Sequence, residues 1–240
     1  MRNCGLIGLT LSHSFSQKFF TDKFKKLNLK CVYNNYELSN LNNLRELIST
    51  NQLTGLNVTS PYKTGVIPYL DRLEETAEAI GSINTILIKD KKLIGYNTDI
   101  IGFKISLERL IGNQKPPTLI LGTGGSAKTV AFVLKQKNIP FQFVSRKKKE
   151  GAISYSQSDD FLSQNILIIN CTPIGRFPDF GKKPPINYTK LTDKHFLFDL
   201  NYNPEITAFM TEGINKGCKV CNGYDMLIEQ AEASWVIWNT

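Results

Sequence analysis

Apolar residues in this chain alternate between two rhythms. Short apolar runs of strand length occupy residues 4–9, 31–38, 55–59, 83–88, 93–96, 119–121, 141–144, 166–170, 196–200 and 219–221. Between them, apolar residues recur three or four positions apart, as in Phe20, Phe24 and Leu27, or Ile101, Ile105 and Leu110, or Leu227, Ala231 and Trp235. The first rhythm predicts buried strands and the second predicts helices with one apolar face. Helices are expected over residues 16–27, over 41–48 with Asn40 as cap, over 73–80 with Gly81 as the C-terminal stop, over 100–111, and from Asp225 onward. Residues 83–88 and 93–96 flank Asp90-Lys-Lys and form a hairpin pattern. Strands alternating with helices imply an α/β chain with largely parallel, doubly wound sheets, which bind ligands beyond the carboxyl ends of their strands.

Residues 112–117, Gly-Asn-Gln-Lys-Pro-Pro, are polar and proline-bearing and interrupt this pattern. With 240 residues, the chain is long enough for two modest domains. In each half the strand ends carry polar residues. The first strand runs into Ser12-His13-Ser14-Phe15-Ser16, the third into Asn57-Val-Thr59-Ser-Pro61-Tyr-Lys63, and the hairpin carries Asn84-Thr85 at one end and Asn97-Thr98-Asp99 at the other. Ser14 and Ser16 stand at a helix start, where hydroxyls serve either as caps or, with unpaired N–H groups, as an anion pocket. The later strands end in Gly122-Thr-Gly124-Gly125-Ser126, in Ser145-Arg146-Lys147, in Cys171-Thr-Pro-Ile-Gly175 and in Asn201-Tyr202.

Composition narrows the classes. A 41% hydrophobic and 21% charged chain is that of a globular protein, and no apolar run approaches the roughly 20 residues of a membrane span. Five cysteines without a framework point to a reducing, cytoplasmic setting. Cys218 and Cys221 have the spacing of a redox or zinc pair, but there is no second pair and His13 and His195 are the only histidines, so no metal site is expected. A net charge of +8 permits nucleic acid or a phosphate-rich ligand; aromatic and basic residues do not interleave as in single-strand binders, so no nucleic-acid partner is expected.

The turn after residues 119–121 admits two chemistries. Gly122, Gly124, Gly125 and Ser126 bring backbone N–H groups and a helix start to one point, which suits a pyrophosphate. Gly122 followed by Ala127, Lys128 and Thr129 is also one residue short of a triphosphate-binding P-loop, with Asp199 as its metal-binding strand end. Ala127 stands where a P-loop carries glycine. The end of the following strand is where a dinucleotide fold reads the adenosine ribose, and Arg146 lies 24 residues beyond Gly122, near the ~20 expected. Ser145, Arg146 and Lys147 there present a hydroxyl and cations but no carboxylate, which favours NADP(H) over NAD.

Taken in order, these motifs resemble the shikimate dehydrogenase family over nearly the whole chain. The resemblance is carried by Ser14-Phe-Ser16, Asn57-Val-Thr59-Ser-Pro61-Tyr-Lys63, Gly81-Ser-Ile-Asn84-Thr85, Asn97-Thr98-Asp99, the glycine turn, Ser145-Arg146, Asn170-Cys-Thr-Pro-Ile-Gly175, Asp199-Leu-Asn-Tyr202-Asn-Pro204 and Gly223-Tyr-Asp-Met-Leu-Ile-Glu-Gln230. Gln17, Ser60, Ile100 and Ser145 depart from the family's usual residues without removing a predicted catalytic group.

The resemblance implies two doubly wound domains with a cleft between them. A substrate domain spans residues 1–99 and is joined by the C-terminal helix 222–240, and a Rossmann-type NADP domain spans 100–221 with a linking helix 100–111. It implies Lys63 and Asp99 as the catalytic pair, and Ser14, Ser16, Asn57, Thr59, Asn84, Tyr202 and Gln230 around a small-molecule substrate. The cofactor contacts are Gly122, Gly124, Gly125, Ser126, Ser145, Arg146 and Lys147. The implied reaction is reversible reduction of 3-dehydroshikimate to shikimate in aromatic amino-acid biosynthesis, by a monomer or homodimer with no membrane partner. Broader quinate/shikimate specificity and a P-loop hydrolase are the alternatives. The chemistry fits these residue types: hydride delivery to a ketone builds an alkoxide that an ammonium stabilises and protonates, and a hydroxyl-rich ring with a carboxylate needs convergent amides and hydroxyls.

Overall fold

The computed structural model describes residues 2–12, 14–164 and 166–240; His13 of the serine motif lies outside the described residues. In chain order the first half runs β1 (Arg2–Gly8), α1 (Phe15–Lys26), β2 (Cys31–Glu37), α2 (Leu44–Thr50), β3 (Leu53–Val58), α3 (Tyr62–Gly65), β4 (Arg72–Leu73), α4 (Glu75–Ile80), β5 (Thr85–Lys89) and β6 (Lys92–Tyr96). The second half runs α5 (Asp99–Ile111), β7 (Thr118–Leu121), α6 (Gly125–Gln136), β8 (Phe141–Val144), β9 (Ala152–Ile153), β10 (Leu167–Asn170), β11 (Phe196–Asp199), α7 (Ala208–Asn215), β12 (Lys219–Cys221) and α8 (Tyr224–Trp238). The described residues form two compact units, one up to Thr98 together with Ala231–Thr240 and the other Asp99–Gln230. The division falls inside α8, a helix that the family resemblance assigns as a whole to the first domain.

In the first unit the sheet order is β2-β1-β3-β5-β6-β4. β2, β1 and β3 are parallel, and the hairpin β5–β6 enters antiparallel to β3. The period of two sends neighbouring residues to opposite faces. Ile7, Leu56, Ile86 and Leu93 enter one core, with α2, while Leu6, Leu87 and Ile94 enter another, with Phe20, Phe24 and Trp238. Each fully buried side chain among them contributes about 1.5–3 kcal/mol. Trp238 seals the last turn of α8 to this sheet: its indole lies 2.6 Å from where a Cβ on Gly55 would stand, and its Nε1 donates to Ile86 O at 3.1 Å.

The second sheet, β12-β11-β10-β7-β8-β9, is parallel throughout. Numbered within the unit this is the 3-2-1-4-5-6 order of a dinucleotide-binding fold. Ile120, Leu167, Ile169, Phe196 and Phe198 face α5 and α6, whereas Leu119, Leu121, Ile168 and Leu197 face the other side with Phe209 of α7. Gly102 on α5 allows contact with α8, since a Cβ there would lie 2.2 Å from Met226 O.

Two helix starts differ from the pattern. α2 begins at Leu44, because Asn40 Oδ1 accepts from Asn42 N at 3.0 Å and forms a local turn instead of a cap. Leu73 pairs with Gly95 in the sheet, so α4 begins only after Glu74, whose carboxylate accepts from Thr76 N and Ala77 N. Gly81 ends α4 in the left-handed region at φ 64°.

Candidate active site

In the first unit, the strand ends converge on a buried polar cluster. Asn57, at the end of β3, pairs across the sheet with Thr85 at the start of β5. Its Nδ2 donates to Ser234 Oγ of α8 at 3.0 Å and to Thr85 Oγ1 at 3.2 Å, and its Oδ1 accepts from the Tyr33 hydroxyl at 2.8 Å. Asn84 Oδ1 accepts from Thr98 N at 2.7 Å, and Asn84 Nδ2 donates to Thr98 Oγ1 at 2.9 Å. Thr85 and Thr98 hydroxyls lie 2.7 and 3.1 Å from Ser234 Oγ. A network this fully satisfied is rigid, so its amide orientations are fixed before any ligand arrives.

Ser16 is buried in the first turn of α1, near the Tyr33 phenol. Burial holds that phenol well above its ordinary range, against the opposing influence of the Ser16 hydroxyl. Ser14 occupies the N-cap position with extended backbone, but its hydroxyl makes no cap hydrogen bond. Capping therefore does not account for this serine. Thr59 is half-buried, and its backbone closes the turn into α3, with Tyr62 N donating to Thr59 O at 2.9 Å.

Lys63 is half-buried on α3, a single helical turn that begins after Pro61. The Tyr62 hydroxyl anchors this turn to Leu38 O, and Lys63 O accepts from Ile83 N at 2.8 Å, one residue before Asn84. Asn57, Asn84 and Lys63 are thus tied to one end of the first sheet. The next residue after Thr98, Asp99, is buried at the start of α5, where a helix N-terminus favours a carboxylate.

In the second unit, Gly122 adopts φ +107°, a conformation that favours glycine. Gly124 is the N-cap of α6, and a Cβ on it would meet nothing within 4 Å. The backbone N–H groups of Gly125, Ser126 and Ala127 form the first turn of α6 and precede the first intrahelical bond, from Lys128 N to Gly124 O at 3.1 Å. That cradle fits a pyrophosphate. At the end of β8, Ser145 Oγ accepts from Lys147 N at 3.3 Å, while the Arg146 and Lys147 side chains are exposed. Tyr202 is half-buried after β11, and Gln230 is buried on α8 with Nε2 donating to Leu227 O at 2.9 Å.

The P-loop alternative does not fit this geometry. Thr129 is fully buried, with its hydroxyl donating to Gly125 O at 3.3 Å, and Lys128 lies on the exposed side of α6. Both oxygens of Asp199 accept protein hydrogen bonds, from Asn170, Asn201 and Thr207.

The Cys218 thiol donates to Thr192 O, and that of Cys221 to Asn222 O. Burial raises both thiols, Cys221 to about 12, so the pair lacks the low-pKa thiolate of a redox motif. Among the described residues, no group of three or more His, Cys, Asp or Glu could hold a metal ion, and no helix is long and apolar enough to cross a membrane.

The model of the shikimate dehydrogenase substrate binding domain matches residues 6–86. The shikimate dehydrogenase (NADP(+)) of Methanosphaera stadtmanae is 35% identical over 254 aligned residues, covering 98% of this chain and 90% of that protein. The chain belongs to the shikimate dehydrogenase family. Among solved structures, shikimate dehydrogenase 1 of Peptoclostridium difficile matches with a TM-score of 0.87 and 35% identity, covering 100% of this chain and 92% of that one. A shikimate dehydrogenase crystallised in complex with NADP+ matches with a TM-score of 0.85 and 32% identity over 99% of this chain and 90% of that one. The α/β architecture expected from the pattern, with its Rossmann-type second half, is the family's fold.

Tyr33, Thr85, Thr98 and Ser234 enter the polar cluster without standing among the expected site residues. Ser234 gave a signal, a hydroxyl beside the apolar stripe of the last helix. Tyr33 gave none, since a tyrosine inside a strand is ordinary core.

Proposed function

We propose that this chain is an NADP(H)-dependent oxidoreductase that interconverts 3-dehydroshikimate and shikimate. The observation that carries the reading is that relatives named as NADP(+)-dependent shikimate dehydrogenases align with 98% of the chain, so the similarity includes both the substrate half and the dinucleotide half. The open face of Gly124 before the α6 N-terminus supports the cofactor assignment, and Arg146 with Lys147 at the end of β8 supports a 2′-phosphate.

Gly122, Gly124, Gly125 and Ser126 hold the pyrophosphate, and Ser145, Arg146 and Lys147 the adenosine ribose phosphate. When bound, NADPH supplies a hydride. Lys63 stabilises the developing alkoxide with its ammonium and gives up a proton to it, and Asp99 is the carboxylate of the catalytic pair. Ser14 and Ser16 receive the substrate carboxylate at the α1 start, together with Tyr202. Asn57, Thr59, Asn84 and Gln230 receive the ring hydroxyls, with Asn57 and Asn84 oriented by the buried network. The reading extends to a cytoplasmic enzyme of aromatic amino-acid biosynthesis, acting as a monomer or homodimer.

The test is loss of reduced-cofactor absorbance on adding 3-dehydroshikimate, with NADPH and NADH compared. NADPH consumption faster than NADH consumption is expected. Consumption of neither overturns the reading.

A further inference from the structure

The chemistry above leaves Asp199 without a role, although it is fully buried. A carboxylate in such a place is costly unless its oxygens are engaged. Oδ1 accepts from Asn170 Nδ2 and from Asn201 N, both at 3.0 Å, and Oδ2 accepts from Thr207 Oγ1 at 2.7 Å. These donors stand on three segments: the end of β10, the turn after β11 and the N-cap of α7.

Asn170 and Asn201 in turn hold residues 171–175. Asn170 Oδ1 accepts from Thr172 N at 3.0 Å and from Thr172 Oγ1 at 2.6 Å, and its Nδ2 also donates to Ile174 O at 3.2 Å. Asn201 Nδ2 donates to the carbonyls of Thr172 and Ile174, at 3.1 Å each. This turn abuts the cofactor glycine: a Cβ on Gly122 would stand 3.1 Å from Thr172 Cγ2 and 3.4 Å from the Cys171 carbonyl. β7 and β10 are neighbours with Leu121 opposite Asn170, and the chain leaves β7 toward β8 on one side and returns as β10 on the other. That is the switch point where open parallel sheets take their ligand. With the adenosine ribose read at the end of β8, the other half of a dinucleotide falls on the β10 side.

We propose that Asp199 is a positioning residue for the cofactor: through Asn170 and Asn201 it holds the 171–175 turn as the wall that receives the nicotinamide half. The proposal rests on the NADP(H) reading above.

The test is equilibrium titration of wild type, Asp199→Ala, Asp199→Asn and Asn201→Ala with NADPH and with adenosine 2′,5′-bisphosphate, which carries only the half read at β8. Asp199→Ala should weaken NADPH binding about tenfold or more, as expected for lost hydrogen bonds to a charged group, and leave the bisphosphate unchanged within about twofold. Asp199→Asn, which keeps an acceptor for Asn170 and Asn201 and offers a donor to Thr207, should recover most of the affinity. Asn201→Ala retains the carboxylate and removes two anchors of the turn, so it carries the test if Asp199→Ala does not fold. Wild-type NADPH affinity in the folded variants overturns the proposal, as does equal weakening of both ligands or no recovery by Asn. A wild type that binds neither ligand overturns the functional reading itself, and the proposal with it.

Discussion

Asp199 makes a signed prediction about stability. Burial pushes its carboxyl from the ordinary 3.8 up to about 6, against the hydrogen bonds from Thr207, Asn201 and Asn170 that favour the ionised form. The native state therefore binds this proton more tightly than the unfolded chain. Its stabilising contribution is full below about pH 4, is lost as pH rises toward 6, and stays lost above. At about 1.36 kcal/mol per pKa unit, the rise corresponds to roughly 3 kcal/mol, of which about 2 kcal/mol is lost between about pH 4.5 and about pH 7.5.

Asp199→Asn removes the titration and retains the shape. Relative to wild type, the variant should gain about 2 kcal/mol over that pH interval, whatever its offset at the acid end. Amide hydrogen exchange along β10 and β11, corrected for intrinsic rates, reads opening free energies in that unit and should register a relative gain of about 30-fold in protection. A difference between the two proteins that stays flat with pH, or that shrinks as pH rises, refutes the assignment of a raised, burial-dominated carboxyl.

Gly102→Ala sets a methyl against backbone, 2.2 Å from Met226 O, and should lower stability by about 1–3 kcal/mol or more in thermal denaturation; an unchanged midpoint contradicts the close contact of α5 and α8. Gly124→Ala meets no protein atom within 4 Å, so it should cost at most about 1 kcal/mol of stability while NADPH binding weakens severalfold. Loss of folding, or unchanged binding, sinks the cradle. Arg146→Ala should raise KM for NADPH by about 10- to 100-fold and leave NADH nearly untouched, measured by steady-state kinetics with each cofactor.

The parts of this fold legible in sequence are those where one physical signal dominates. Four-residue strands such as Leu167–Asn170 and Phe196–Asp199, three apolar residues ending in a polar one, mark both the parallel sheet and its carboxyl edge. Gly122 is legible because a turn at φ +107° favours glycine. Short elements escape. β4 is two residues long and exists through its pairing with β6, and α3, which carries Lys63, is one turn whose start is set by Tyr62 reaching Leu38. The same holds for the polar cluster. Asn57 and Asn84 stand in motifs, but Tyr33 and Ser234 join them from residues 24 and 177 positions away from Asn57, a juxtaposition created by tertiary packing alone.

The role of Lys63 is tested most directly by single-turnover reduction of 3-dehydroshikimate by NADPH with wild type and Lys63→Ala, alongside NADPH titrations of both. Replacing Lys63 should cut the reduction rate by on the order of 10² or more with NADPH affinity unchanged, as expected of an ammonium that acts on the reacting oxygen. An alanine variant that reduces the ketone at the wild-type rate contradicts that role.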